Sequence, residues 1–171
     1  MRRNAKLISL VLGMMLIMPA ALAAGQSGLA TAARQGTASF HDVNQAGSAG
    51  YVSTLESLGC FENPGTGGMG LHYLNLSLLD GSVDAATPEA LVYEMTENGK
   101  LKLAGVEYIV PLGAWGGEDP PELFGRSFHV NTTLGLWVLH AWVWTPNPLG
   151  MFEDWNPSVG LCPEGVPVFG S

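Results

Sequence analysis

Four ionisable residues stand among apolar neighbours in strand-like segments of the sequence: His72, Glu94, Glu107 and His140. Charged side chains are rarely buried in a protein unless they are paired or bind a metal. Imidazole and carboxylate groups are ligands of Zn, Fe, Mn and Cu. If the four side chains meet on one face of a sheet, they predict a site for a divalent transition metal. Without a metal they would form His–Glu hydrogen bonds with shifted pKa values.

All four residues are candidate metal ligands, and Glu94 and Glu107 are also the candidate catalytic residues. In lyase, isomerase or oxygenase-type chemistry, a glutamate would transfer the proton and the histidines would act as ligands or acids. A small organic ligand is the alternative occupant of the pocket. A different class of function also stays open, namely a non-catalytic ligand-binding or envelope module whose polar cluster satisfies itself.

Four segments have the residue types and alternation expected of the strands that would position these side chains. They cover residues 71–76, 90–95, 100–110 and 135–144. Asn98-Gly99 is typical of a tight hairpin turn between the second and third segments. Strand side chains alternate between the two faces, and both faces are largely apolar in these segments. We therefore expect a sheet that is covered on both sides.

A helix is predicted in front of the strands. Ser39-x-x-Asp42 is a variant of the capping box, and apolar residues follow at three- and four-residue steps as far as Leu58. Gly47 and Gly50 would weaken its middle, so two short helices are an alternative. The expected fold class is α+β, with an N-terminal helix packed on a curved, mainly antiparallel sheet. Barrel-like closure of that sheet stays open.

The first residues are typical of a secretory signal peptide, with a basic start, an apolar run over 7–18 and the cleavage motif Ala21-Leu22-Ala23. Twelve apolar residues are too few to cross a bilayer about 30 Å thick. Residues 1–23 are therefore predicted to be a signal peptide, and the protein to be periplasmic or secreted. Residues 24–36 are rich in small and polar types and are predicted to be a flexible lead-in, followed by a single globular domain over 37–171.

The charge balance limits the classes of partner. The 171 residues include 7 Lys and Arg against 15 Asp and Glu, a net charge of −8. This balance argues against binding of nucleic acid, and no segment after the signal peptide suits a membrane. The expected partners are a small molecule or a metal ion. A homodimer formed through the tryptophan-bearing fourth segment is a further alternative.

Cys60 and Cys162 are the two cysteines of the chain. An even count in an exported protein favours a disulfide, with two free thiols as the alternative. The bridge would tie the start of the strand region to the C-terminal tail.

Several other polar residues are candidate contributors to the site. His129, beside a Gly- and Pro-rich loop, could be a lid residue or support the metal ligands, as could Asn75 and Tyr108. Period two places Asn75 and Tyr108 on the opposite face. His41 and the adjacent carboxylates Glu153 and Asp154 are expected to be solvated.

The chain resembles a group of small exported bacterial proteins of uncharacterised function. The resemblance covers roughly residues 40–162 and rests on the strings GGMGLHY (67–73), PEALVYE (88–94), VEY (106–108), LHAWVW (139–144) and NPLGMFEDWNP (147–157). It implies a bacterial, exported protein and supplies no activity.

Overall fold

The computed structural model describes residues 20–170, so residues 1–19 of the predicted signal peptide lie outside it. Two α-helices come first, α1 (Ala20–Thr37) and α2 (Val43–Ser48), with a 3-10 turn at Ala38–His41 between them and another at Leu76–Leu78. The strands are β1 (Val52–Ser53), β2 (Phe61–Asn63), β3 (Gly67–Leu74), β4 (Ala90–Met95), β5 (Leu101–Pro111), β6 (Glu122–Leu123), β7 (Arg126–Ser127), β8 (His129–Asn131) and β9 (Leu136–Ala141).

Seven of these strands form one antiparallel sheet in the order β1-β3-β4-β5-β9-β8, with β2 pairing beside β1 on the same edge of β3. β6 and β7 form a separate hairpin. This confirms the α+β prediction, and the sheet is not closed into a barrel. The Asn98-Gly99 hairpin is also confirmed, since β4 and β5 pair across it and Gly99 has the positive φ of 74° that such a turn requires.

A β-bulge in β5 changes one predicted face. Val92 pairs with Gly105 and Tyr93 pairs with Leu103, so Ala104 is an extra residue on β5. An extra residue reverses the alternation, and Leu103 therefore packs in the main core instead of sharing the face of Glu107. Uninterrupted alternation would place residues 101, 103, 107 and 109 on one face, and the bulge breaks that pattern.

The prediction of a flexible lead-in over residues 24–36 is wrong, because these residues belong to α1. Alanine is the strongest helix former, and small side chains let a helix lie close to its neighbours. Ala30 and Ala33 are buried in the main core, and Gly36 lies so close to the Ala86 carbonyl that a Cβ would clash with it. The composition that suggested flexibility instead allows close packing.

The predicted helix from Ser39 to Leu58 is shorter than expected. Asp42, not Ser39, is the N-cap, and its side chain accepts a hydrogen bond from the Asn44 amide. Gly50, with a φ of 96°, follows the end of α2, and β1 begins two residues later. The chain thus leaves the helix early to supply an edge strand.

The two faces of the sheet are covered by different parts of the chain. α1 and the main core lie on one face, and Val143, Trp144 and Phe152 of the tail pack there too. Other parts of the tail after β9 lie on the opposite face, where Val159 packs with Val92 and Trp142. Alternation continued past β9 would place Trp144 on the face of His140, but β9 ends at Ala141 and Trp144 packs against the main core. Its indole instead donates to the Thr37 hydroxyl.

Cys60 and Cys162 form the predicted disulfide, which joins the tail to the segment before β2. Between residues 20 and 170, no helix has both the length and the apolar character needed to cross a membrane.

Candidate metal centre

Glu107 and His140 face each other directly across two neighbouring strands. They are register partners in the β5–β9 pair, and such partners have Cβ atoms about 5 Å apart on one face. The Glu107 Oε1 atom lies 3.7 Å from His140 Nε2. Both side chains are buried, so the sheet itself fixes their relative position.

His72 joins this pair from β3, two strands away from β5. The side chain must pass over β4, where Ala90 pairs with Glu107 and leaves little bulk in the way. His72 Nε2 lies 3.3 Å from Glu107 Oε2 and 3.4 Å from His140 Nε2. The ring of Phe61 meets the His72 ring edge-on at 4.8 Å and restrains its orientation. Three of the four predicted ligands therefore meet at one point.

Glu94 does not belong to this cluster, which corrects its predicted role as ligand and catalytic residue. It lies on the same face as Ala90 but four residues further along β4, a distance of about 13 Å in a strand. There its carboxylate pairs with Lys102 at 3.2 Å and accepts a hydrogen bond from the Gly160 amide. The two-residue alternation of strand side chains predicted the correct face for Glu94. Its position along β4 keeps it away from the cluster.

Asp154 occupies the place that Glu94 was expected to take. Its Oδ1 lies 3.4 Å from His140 Nδ1, and its Oδ2 lies 3.4 Å from His129 Nε2. The contact with His140 is at ion-pair distance and lacks the geometry of a hydrogen bond. Asp154 is nevertheless placed to orient the ring of His140, and it connects the buried cluster to the half-exposed His129.

The carboxylates of Glu153 and Asp154 were expected to be solvated, and this is wrong for Asp154. Its neighbours Phe152 and Trp155 are partly buried and hold this part of the tail against the protein. An aromatic tail was the available signal, but no local pattern indicates which of two adjacent carboxylates points inward. His41 is exposed, as predicted.

The other two predicted supporting residues have structural roles elsewhere. Asn75 donates a hydrogen bond to the Ala49 carbonyl, and the Tyr108 hydroxyl donates to the Ala85 carbonyl. Neither residue lines the cavity, whereas His129 does. Of the three, only His129 therefore lies where it was expected to act.

The cluster lies at the end of a cavity of about 220 Å³. Most residues that line it are apolar, and they include Leu58, Phe61, Met69, Ile109 and Phe169. The stacked rings of Phe61 and Phe169, 4.4 Å apart, form part of this wall. The polar groups of the cluster therefore face an apolar space and not bulk water.

Burial controls the protonation of the cluster. It lowers the pKa of His72 to about 3, with a further contribution from His140, so this ring is neutral at physiological pH. Burial also raises the pKa of Glu107, against the opposing effect of His140. For His140 the burial effect is outweighed by the carboxylates of Glu107 and Asp154, and its pKa is raised. A neutral His72 can bind a metal without first losing a proton.

The spacing of the donor atoms fits a metal ion. With metal–ligand bonds of about 2.1 Å, neighbouring donors in a tetrahedral site are about 3.4 Å apart. The two imidazole Nε2 atoms are 3.4 Å apart, and the carboxylate oxygens lie 3.3 and 3.7 Å from them. His72 Nδ1 is buried with no hydrogen-bond partner among the described residues. Such an unsatisfied group costs about 1–3 kcal/mol if it carries a proton.

The chain was compared with known families, with curated proteins and with solved structures. No family model matches it, and no curated protein or solved structure is significantly similar to it.

Proposed function

We propose that this chain is a metalloprotein in which His72, His140 and Glu107 bind one divalent transition metal. The observation that carries the proposal is the meeting of three buried residues from three different strands. His72 Nε2 lies 3.4 Å from His140 Nε2 and 3.3 Å from Glu107 Oε2, and the other oxygen of Glu107 lies 3.7 Å from His140 Nε2. Within residues 20–170, no other group of three or more His, Cys, Asp or Glu side chains is close enough to bind one metal ion.

The composition of the cluster supports a reactive centre more than a structural one. Structural zinc sites usually have four protein ligands, whereas three ligands leave positions for water or substrate. Two histidines and one carboxylate are also the ligand set of non-haem iron centres. When bound, the metal would act as a Lewis acid or redox centre for a small molecule in the cavity.

The other residues of the site would support that centre. Asp154 would hold the ring of His140 by its Nδ1 atom, an arrangement common among metal-binding histidines. The apolar wall would limit access of water. The disulfide and the predicted signal peptide support a periplasmic or secreted location for this chemistry.

The test is the metal content of the protein purified without chelator or affinity tag, measured by mass spectrometry of the metals. We expect close to one equivalent of zinc or iron in the wild type and none in the His72→Ala/His140→Ala double variant. His41→Ala is the matched control, because His41 is exposed and outside the cavity.

A conservative variant separates loss of the metal from loss of the fold. Glu107→Gln keeps the size of the side chain and removes its charge, and we expect it to fold while binding metal at least tenfold more weakly. If the wild type takes up none of Zn²⁺, Fe²⁺, Mn²⁺ and Cu²⁺, even after titration with each, the metal function is excluded. The cluster would then be a self-satisfied structural feature.

A further inference from the structure

The size of the cavity limits what can occupy the site. An engineered apolar cavity of roughly 150 Å³ binds benzene, and pockets for drug-sized ligands measure about 300–1,000 Å³. The cavity of about 220 Å³ lies between these values. It therefore has room for a single ring with a small substituent, or for a short alkyl chain of equal bulk.

The walls of the cavity favour a ring. Phe61, Phe169 and Trp155 all line it, and aromatic side chains pack well against another aromatic ring in offset or edge-on contacts. Phe61 already makes both types of contact, stacked with Phe169 and edge-on to His72. The aliphatic side chains of Leu74, Ile109 and Val138 complete the apolar space.

In the metal-free protein, the charges around the cavity disfavour an anionic ligand. Among the described residues that line it, none is Lys or Arg, while Glu107 and Asp154 both carry carboxylates. The cationic side chains have other positions: Arg34 donates to a backbone carbonyl, Lys102 pairs with Glu94, Arg126 lies over Phe152, and Lys100 is exposed. Without a metal, a buried carboxylate or phosphate would have no Lys or Arg as a partner, and the imidazole of His140 already faces the carboxylates of Glu107 and Asp154.

We propose that the ligand of this cavity is an uncharged molecule of one aromatic ring with a hydroxyl group. The hydroxyl would point to His72, Glu107 and His140, and the ring would lie between Phe61, Phe169 and the aliphatic wall. The inference rests on the proposed function, since it assigns a ligand to the open positions of the same metal centre.

Phenol and benzoate are the probes, each titrated by calorimetry into protein treated with chelator and into protein loaded with zinc. We expect phenol to bind saturably to both the metal-free and the zinc-loaded protein. In the metal-free protein, the dissociation constant of phenol should be at least tenfold lower than that of benzoate. Val138→Phe places a ring in the cavity and should weaken phenol binding at least tenfold. Val52→Phe, the same change at an exposed position, should not change it. Leu134→Phe, at the half-buried rim, is the second cavity variant in case Val138→Phe does not fold.

The two proposals fail in different ways. Zinc uptake without saturable phenol binding at millimolar concentrations would overturn the ligand assignment and leave the metal site intact. Phenol binding to a protein that takes up no metal would overturn the metal site and support the ligand class. Two further outcomes would overturn the ligand assignment. One is that benzoate binds the metal-free form as tightly as phenol does, and the other is that phenol binds the folded cavity variants as tightly as the wild type.

Discussion

Both ring nitrogens of His140 face a polar side chain, and His72 differs in this respect. Its Nε2 faces Glu107 and His72, and its Nδ1 faces Asp154. His72 has a partner for Nε2 but none for Nδ1 among the described residues. A carboxylate behind a metal-binding imidazole orients the ring and raises its basicity. Asp154 would therefore support a bound metal through His140 alone.

We expect Asp154→Asn to weaken zinc binding by about 10- to 100-fold while the fold is retained, because the carboxylate that orients His140 loses its charge. The affinity would be measured by competition with a coloured chelator. Glu153→Gln is the control, since Glu153 is the neighbouring residue and is exposed. Equal zinc affinity of Asp154→Asn and the wild type would show that Asp154 has no role at the metal.

At the scale of the elements, β4 is shorter than β5, and a side chain compensates for the difference. β4 begins at Ala90, opposite Glu107, while β5 continues to Pro111. The Ile109 amide, beyond the end of β4, donates a hydrogen bond of 2.9 Å to Glu89 Oε2. This carboxylate takes the place of a strand carbonyl, but it must be buried to do so. Burial raises the pKa of Glu89 to about 7, against the opposing effect of that hydrogen bond.

This pKa shift predicts how stability depends on pH. The ordinary pKa of the group is about 4.5. Between about pH 4.5 and 7, the folded form therefore keeps the Glu89 proton that the unfolded form has released. The contribution of Glu89 to the free energy of unfolding should therefore fall by up to about 3 kcal/mol as the pH rises through this range. Glu89→Gln does not titrate and should lack this loss.

Urea unfolding of the wild type and Glu89→Gln, with chelator present, would measure the difference at several pH values. We expect the variant to gain stability relative to the wild type as the pH rises from 4.5 to 7. Glu118→Gln, an exposed carboxylate, should show a nearly constant difference from the wild type. A pH-independent difference for Glu89→Gln would contradict the prediction.

At the scale of the whole molecule, one face of the sheet provides stability and the other provides the site. α1 and the large aromatic side chains cover the first face and form the main core. The second face is covered by irregular chain, and the disulfide between Cys60 and Cys162 closes a loop of 102 residues there. Next to the bridge, the Cys60 amide and carbonyl pair with Pro167 and Phe169. A covalent link compensates for the lack of regular structure on this side.

Replacing the bridge should therefore lower the stability substantially. We expect Cys60→Ser/Cys162→Ser to lose about 2–5 kcal/mol of unfolding free energy, because the unfolded chain regains the freedom of the long loop. Urea unfolding would measure the loss, and the wild type treated with reductant is the matched control that should behave alike. A loss below about 1 kcal/mol in both would show that the tail is held without the bridge.

Local patterns predicted the strands and the faces of three site residues, but not the site as a whole. His72, Glu107 and His140 were found because alternation and apolar neighbours depend only on nearby sequence. The exclusion of Glu94 depends on the register between strands, which a single strand does not encode. The inclusion of Asp154 depends on the path of an irregular tail. The bulge at Ala104 has one local signal, the neighbouring Gly105, because an isolated glycine inside a strand often marks a bulge.

The disulfide also has a consequence for the order of events during synthesis. A chain made from its N-terminus presents His72, Glu107 and His140 well before the tail that covers them. Cys60 must remain a free thiol until 102 further residues have been added and Cys162 is present. The open face of the sheet is thus exposed to solvent before the cavity is enclosed. Formation of the disulfide is consequently a late step in the maturation of the chain, and we expect it to fix the tail over the candidate site only after the residues of that site have been made.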